Sequence, residues 1–206
     1  MHLFHYHLVT SMVRQVEARY LGKLGFELVA RYGRIGEQRT SFEAGRSWDE
    51  LDRVGFKLRL SELQRGAVNV VVQPGQWEVP RIDHLGFALD DDTYDRTLVC
   101  ADQLGLRIQD HPGRRTFIAT RAGYRLEVHP ERDWVDEMLE SRDELRLGEL
   151  HLRSDEPREK AEALAELLGA PVLDGDGSSV PVGDAVVRFL PGGPKGRPEL
   201  HGELFL

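Results

Sequence analysis

Leu3-Phe4-His5-Tyr6-His7-Leu8-Val9, followed by Thr10-Ser11 and by apolar positions at Val13, Val16, Tyr20 and Leu24, sets the grammar of the chain. The first seven residues are rich in aromatic and aliphatic side chains and read as a strand. The apolar positions that follow lie three or four apart and trace one face of a helix. Gly25 then stands where a left-handed residue ends a helix. The same grammar returns twice. Ile82 to Leu89 leads through Asp90-Asp91-Asp92 into Tyr94, Leu98, Ala101 and Leu104, and stops at Gly105. Leu150 to Leu152 leads through Ser154-Asp155 and Pro157 into Ala161, Leu164 and Leu168, and stops at Gly169. Ser11, the Asp run and Ser154-Asp155 suit the free amides of a first helical turn, and Pro157 suits the first helical position.

Each helix is followed by β-rich sequence with a turn near its end, at Arg65-Gly66, Ala122-Gly123 and Gly183-Asp184. A last strand then closes at Pro74, Pro130 and Pro191. These recurrences predict an α+β chain of repeated βαβββ modules over 1–74 and 82–130, with a third, partial module over 148–206. Residues 74–80 read as a linker. The charged stretch 131–147, with Trp134, Met138 and Leu145 at helical spacing, reads as a connecting helix. Arg34 to Asp52 lengthens the first module and reads as an inserted loop or hairpin. Glu199 to Leu206 reads as an added edge strand.

With 40% hydrophobic and 30% charged residues over 206 positions, the chain has the composition of a globular protein. A net charge of −8 argues against nucleic acid, which needs clustered cations. No apolar run approaches the roughly 20 residues that cross a bilayer, and no basic segment precedes an apolar one at the N-terminus. A cytoplasmic location is the expectation. The single cysteine, Cys100, falls in a helical apolar pattern and reads as a small packed residue rather than a reactive thiol.

Strand side chains alternate between faces. If Phe4, Tyr6 and Leu8 pack on the helix, then His5 and His7 point the other way. Leu85, Phe87 and Leu89 leave His84 opposite, and Tyr124, Leu126 and Val128 leave Arg125, Glu127 and His129 opposite. Three strands thus bring His or Glu to one side. Two histidines and a carboxylate form a facial set suited to Fe(II) or Mn(II), with Zn(II) or Ni(II) as alternatives. His7 and His129 share that face as candidate general bases. Arg125 is a candidate anion clamp, with a structural ion pair as the other reading. His2 falls on the helix-facing parity.

The repeat, with His on a first strand and an acid on a fourth, resembles the vicinal oxygen chelate superfamily, which includes glyoxalases, extradiol dioxygenases and bleomycin-resistance proteins. The resemblance implies that the first two modules pair into a cupped, glyoxalase-like sheet around a divalent metal held by His5, His84 and Glu127. Val71 lies three residues before Pro74, as Glu127 lies before Pro130, so the fourth ligand place of a glyoxalase-type site holds valine. Asn69 and Gln73 share its face. A three-ligand site resembles the ring-cleaving dioxygenase branch. That branch also implies a His, an acid–base tyrosine about ten residues before the glutamate, and a proline; here stand His111, Phe117 and Arg121. The function expected is a metal-dependent enzyme on a small substrate with vicinal oxygens, a ring-cleaving dioxygenase in its most specific form. A lyase or isomerase of the glyoxalase and epimerase kind is the alternative, and a metal-free binding protein of the bleomycin-resistance type is the third. In the third module the equivalents of His84 and Glu127 are Glu149 and Arg188, suited to a salt bridge, and His151 is not expected to be a ligand. A module without a partner in its own chain leads to the expectation of a homodimer.

Overall fold

Strand β1 (His2–Thr10) runs between two partners, parallel to β5 (Val68–Pro74) and antiparallel to β6 (Arg81–Leu89). That double pairing joins the first two modules in the computed structural model, which describes residues 1–111, 115–130, 145–173, 175 and 177–206. Between β1 and β5 the chain forms α1 (Val13–Lys23), β2 (Glu27–Ile35), β3 (Gln38–Glu43), α2 (Trp48–Arg53) and β4 (Phe56–Arg65). The second module continues from β6 through α3 (Asp91–Gln103), β7 (Arg107–His111), β8 (Arg115–Ala119) and β9 (Arg125–Pro130). The third comprises β10 (Leu147–Arg153), α4 (Pro157–Leu168), β11 (Ser179–Val182) and β12 (Ala185–Leu190), and β13 (Glu199–Phe205) follows.

In every module the first strand lies parallel to the last: β1 with β5, β6 with β9, β10 with β12. Parallel neighbours need a long crossover, and the helix after each first strand opens it. The first two modules form one sheet in the order β7-β8-β9-β6-β1-β5-β4-β2-β3. Its helix face buries Leu3, Tyr6, Leu8, Val70, Val72, Leu85, Phe87, Leu126 and Val128 with Tyr20 and Ala101 of the helices. No helix among the described residues is long and apolar enough to cross a membrane.

Several local expectations meet their physical cause here. Gly25, Gly105 and Gly169 have φ of 70°, 63° and 63°, the left-handed value that stops each helix. Pro157 opens α4, and Asp90 accepts the Thr93 amide at 2.8 Å. Ser11 does not cap α1. The Thr10 hydroxyl instead takes the Met12 amide at 3.0 Å and donates to the carbonyls of Trp77 and Glu78, tying the linker to the helix start. The insertion over Arg34 to Asp52 holds the tip of the β2–β3 hairpin and most of α2. Strand β13 is not an edge addition: it pairs along β10 and touches β6 at Glu199↔Arg81. Cys100 is half-buried, with its thiol 3.6 Å from the Glu166 carbonyl. The connecting helix read over 131–147 lies outside the described residues except for 145–147, of which Leu147 begins β10.

The strict alternation read along β1 breaks at a β-bulge. Leu3 pairs with Phe87 and His5 with Gly86, so Phe4 is an extra residue. A bulge inverts parity across itself. Leu3 therefore joins the helix-side core, and Phe4 turns to the concave side. The parity given to His2 does not carry across that bulge either.

The insertion is fastened by a buried polar knot. Glu17 of α1 receives Arg31 Nε at 3.0 Å, Trp48 Nε1 at 2.9 Å and Ser61 Oγ at 2.8 Å. Arg31 also donates to the Arg46 carbonyl at 2.7 Å and stacks on the Trp48 ring. Both charged side chains are buried, so removing one partner strands the other in a low-dielectric site. Glu17→Ala is expected to cost about 3–5 kcal/mol in urea unfolding, well beyond a typical surface substitution.

Candidate metal centre

His5, His84 and Glu127 meet because Gly86 lies between two of them. Gly86 is in register with His5 across β1 and with Glu127 across β9. A Cβ on Gly86 would lie 2.7 Å from the His5 Cβ and 3.1 Å from its ring, so only glycine lets the imidazole lie over β6. His5 Nε2 is 3.0 Å from His84 Nε2, and His84 Nε2 is 2.9 Å from Glu127 Oε2.

The opposite nitrogens hold both rings in place. His5 Nδ1 lies 2.7 Å from Asn69 Oδ1 and 3.2 Å from the Asn69 carbonyl. The Asn69 amide nitrogen faces Glu62 and Gln64 oxygens at 3.1 and 3.0 Å, which turns its oxygen toward His5. His84 Nδ1 lies 2.9 Å from Asp83 Oδ2. Each Nδ1 meets only acceptors and so carries a proton, which in the neutral His5 ring leaves Nε2 as a bare lone pair. A buried carboxylate and a neutral imidazole on either side of the His84 ring favour a cation between them. Each of the two separations matches adjacent donors on metal–ligand bonds of about 2.1 Å, which lie about 3.0 Å apart at right angles.

The charge states agree with this. Burial, helped by the nearby His84, pulls His5 down to about 4, so it is neutral at pH 7. Burial alone would raise Glu127, but hydrogen bonding by His129 and His84 outweighs it and keeps the carboxyl well below its usual range. Burial likewise opposes ionisation of Asp83, and its bonds to His84 and Arg125 overcome it. Asp83 is the extra residue of a second bulge, between His7↔His84 and Leu8↔Ile82. It also receives Arg197 Nη2 at 2.7 Å, from the segment between β12 and β13.

Of the remaining candidates, His7 has a buried Nε2 with no partner among the described residues, and its ring centre is 4.7 Å from that of His84. Burial, then the neighbouring His84 and His5, hold His7 well below its ordinary value. The ring nitrogens of His5, His7 and His84 all fall within 4.8 Å of one another, so a three-histidine set overlaps the set with Glu127. His129 is fully buried against Phe4 and places Nε2 3.0 Å from Glu127 Oε1, which makes it a support for the carboxylate. Arg125 is paired with Asp83 and lies over Phe117, the ion-pair alternative of its two readings. Arg115 approaches Glu127 at 3.6 Å. Phe117 packs edge-on against His84. In the third module Glu149 bonds Arg188 at 3.0 Å and His151 at 2.6 Å.

Sequence reading passed over Asp83, Gly86 and Arg197, and took Arg115 for part of a solvated turn with anion binding as the alternative. The acidic residue before His84 was the one available signal; the bulge that turns it toward the ring was not. His5, His7, His84, Glu127, Arg115 and Phe117 line a concave cavity of about 380 Å³ with Phe4, Tyr32, Arg59, Val71 and Gln73.

No protein-family model and no curated protein sequence matches the chain. Solved structures do. The Mn(II)-bound glyoxalase from Novosphingobium aromaticivorans aligns with a TM-score of 0.60 at 15% identity, over 97% of this chain and 63% of its own. BphC, a halotolerant catechol dioxygenase, aligns at 0.62 and 13% identity, over 99% of this chain and 69% of its own. Homoprotocatechuate 2,3-dioxygenase from Arthrobacter globiformis aligns at 0.58 and 14%, over 96% and 61%. The fold is thus a repeated-module α+β architecture like that of these glyoxalase and dioxygenase structures. The chain spans 63% of the glyoxalase's length and 61% of the homoprotocatechuate enzyme's.

Metal content of purified chain, read by elemental analysis after Fe(II) or Mn(II) loading, is expected at about one per chain. His5→Ala, His84→Ala and Glu127→Ala should each abolish it, whereas His7→Ala should retain it. Loss in His7→Ala with retention in Glu127→Ala would instead select the three-histidine set. Asp83→Asn should weaken loading roughly 10–100-fold, as expected for a partner that orients a ligating imidazole.

Proposed function

We propose that this chain is a divalent-metal-dependent enzyme acting on a small substrate with vicinal oxygens, most specifically a ring-cleaving dioxygenase. The observation that carries the proposal is that His84 Nε2 lies 3.0 Å from His5 Nε2 and 2.9 Å from Glu127 Oε2 at the floor of a cavity. His5, His84 and Glu127 would hold the cation, with Fe(II) or Mn(II) suited to two nitrogens and one carboxylate. When bound, such a cation supplies Lewis acidity toward adjacent substrate oxygens and, as iron or manganese, access to O₂.

The chain's own side chains do the rest. Asn69 and Asp83 fix the two imidazoles, and His129 steadies Glu127 through its other oxygen. Phe4 and Phe117 wall the floor and exclude water, which suits a flat apolar ring. His7, neutral and with an unengaged Nε2, is placed to take a proton from a substrate hydroxyl. Arg115 and Arg59 reach the same cavity and favour a substrate that carries negative charge. The likeness to a catechol dioxygenase and to homoprotocatechuate 2,3-dioxygenase supports the ring-cleaving reading as a likeness of fold.

A lyase or isomerase is the second reading. Phe117, in the place where the ring-cleaving branch puts a hydroxyl-bearing tyrosine, favours it, because His7 and Gln73 then remain to move a proton and complete the shell. The two separate cleanly in an oxygen electrode. Metal-loaded chain given a panel of catechols, some bearing carboxylates, should consume about one O₂ per diol with a yellow ring-opened product. Turnover without O₂ uptake would move the assignment to the lyase. His7→Ala should lower kcat by about 10²–10⁴ while metal content stays unchanged.

A further inference from the structure

Beside the metal cavity lies a second hollow of about 730 Å³ bounded by β2, β3 and β4, and Tyr32 and Arg59 line both. Its described lining holds Arg34, Arg39, Lys57 and Arg59 and not one acidic side chain. Three of these cations form a single cross-strand row. Arg39 on β3 is the direct partner of Arg34 on β2, and Arg34 is the direct partner of Lys57 on β4. Directly opposed side chains on antiparallel strands stand only about 4.5–5.5 Å apart at Cβ, and like charges so placed destabilise a sheet. The row thus opposes local stability, and no carboxylate among the described residues pairs with it to relieve the repulsion.

Backbone features hold this arrangement in place. A Cβ on Gly33 would meet the Lys57 carbonyl at 2.2 Å and the Phe56 ring at 2.6 Å, so glycine is what lets β2 and β4 close beside Arg34. Tyr32 pairs with Leu60 and Gly33 with Leu58, which makes Arg59 the extra residue of a bulge. That extra residue, with Tyr32, lines both hollows.

We propose that the Arg39–Arg34–Lys57 row, with Arg59, binds a phosphate-bearing end of an elongated small substrate whose other end lies at the metal floor. The identity of the reacting end rests on the proposed function; the anion site does not. Four cations in one hollow exceed what a single carboxylate neutralises. A phosphate or diphosphate brings about two or three charges and several acceptor oxygens, and guanidinium forks match them in pairs. The net charge of −8 repels long polyanions, which confines the ligand to a small molecule.

The test uses metal-free full-length chain, so that a phosphate probe cannot bind through a cation, titrated calorimetrically with inorganic pyrophosphate. Wild-type chain should bind at about one per chain and lose affinity as salt rises. The double variant Arg34→Gln, Arg39→Gln should bind at least about tenfold more weakly, since two charge-assisted contacts are lost. His84→Ala should bind pyrophosphate as wild type does, even where it has lost its metal, which separates this site from the metal reading. Without ligand, Arg34→Gln should melt at a higher temperature than wild type, because it relieves the repulsion. Pyrophosphate should then raise the melting temperature of wild type and not of the double variant. The proposal is overturned by no binding at about 1 mM pyrophosphate, by equal binding in the double variant, or by citrate binding as tightly as pyrophosphate.

Discussion

The ladder between β1 and β6 is the element on which everything else rests. It joins the two modules, and it is irregular at two places. One bulge turns Phe4 out of the helix-side core and into the cavity wall; the other turns Asp83 to the side of the His84 ring it must hold. A regular ladder would put adjacent residues on opposite faces, and Asp83 could not reach the imidazole beside it. The departures from ideal pairing are therefore where the chemistry is made.

From that ladder follows an electrostatic chain that crosses the whole molecule. Arg197 and Arg125 hold Asp83, Asp83 holds His84, and His84 faces His5, which Asn69 holds from the other side. The third module thus contributes to the centre without supplying a ligand: its trailing segment carries Arg197, and Gly123 packs so closely on Gly196 that a Cβ would fall 2.4 Å from its backbone. The same module fastens its own ligand-equivalent positions with a Glu149–Arg188 pair.

What could be read from residues alone divides along a physical line. Helix faces, stop glycines and closing prolines depend on neighbours a few residues apart, and they were legible: Gly25, Gly105, Gly169 and Pro157 all take the conformations their positions imply. The common side of His5, His84 and Glu127 was legible too, because period-two alternation holds from His5 onward in β1, from His84 onward in β6, and along β9. Bulges were not, since an extra residue exists only relative to a partner strand far along the chain. That is why Phe4 was set on the wrong face. Gly86 and Gly33 look like ordinary strand glycines until the partner that a Cβ would strike is known. Arg34 and Arg39 of the cationic row lie in an insertion whose register against Lys57 periodicity could not supply.

The pairing of β10 with β13 repeats that of β1 with β6 residue for residue. Leu147↔Phe205 answers Leu3↔Phe87, with Gly148 as the extra residue in the place of Phe4. His151↔Gly202 answers His7↔His84, and His201 takes the bulge place of Asp83. One backbone frame therefore occurs twice in the same molecule, once carrying the candidate ligands and once carrying an ordinary ion pair. The irregular ladder is a property inherited by the frame and independent of any bound ion. A scaffold that keeps its kinks while its side chains drift can gain or shed a metal centre by substitution alone, and this chain preserves both outcomes side by side.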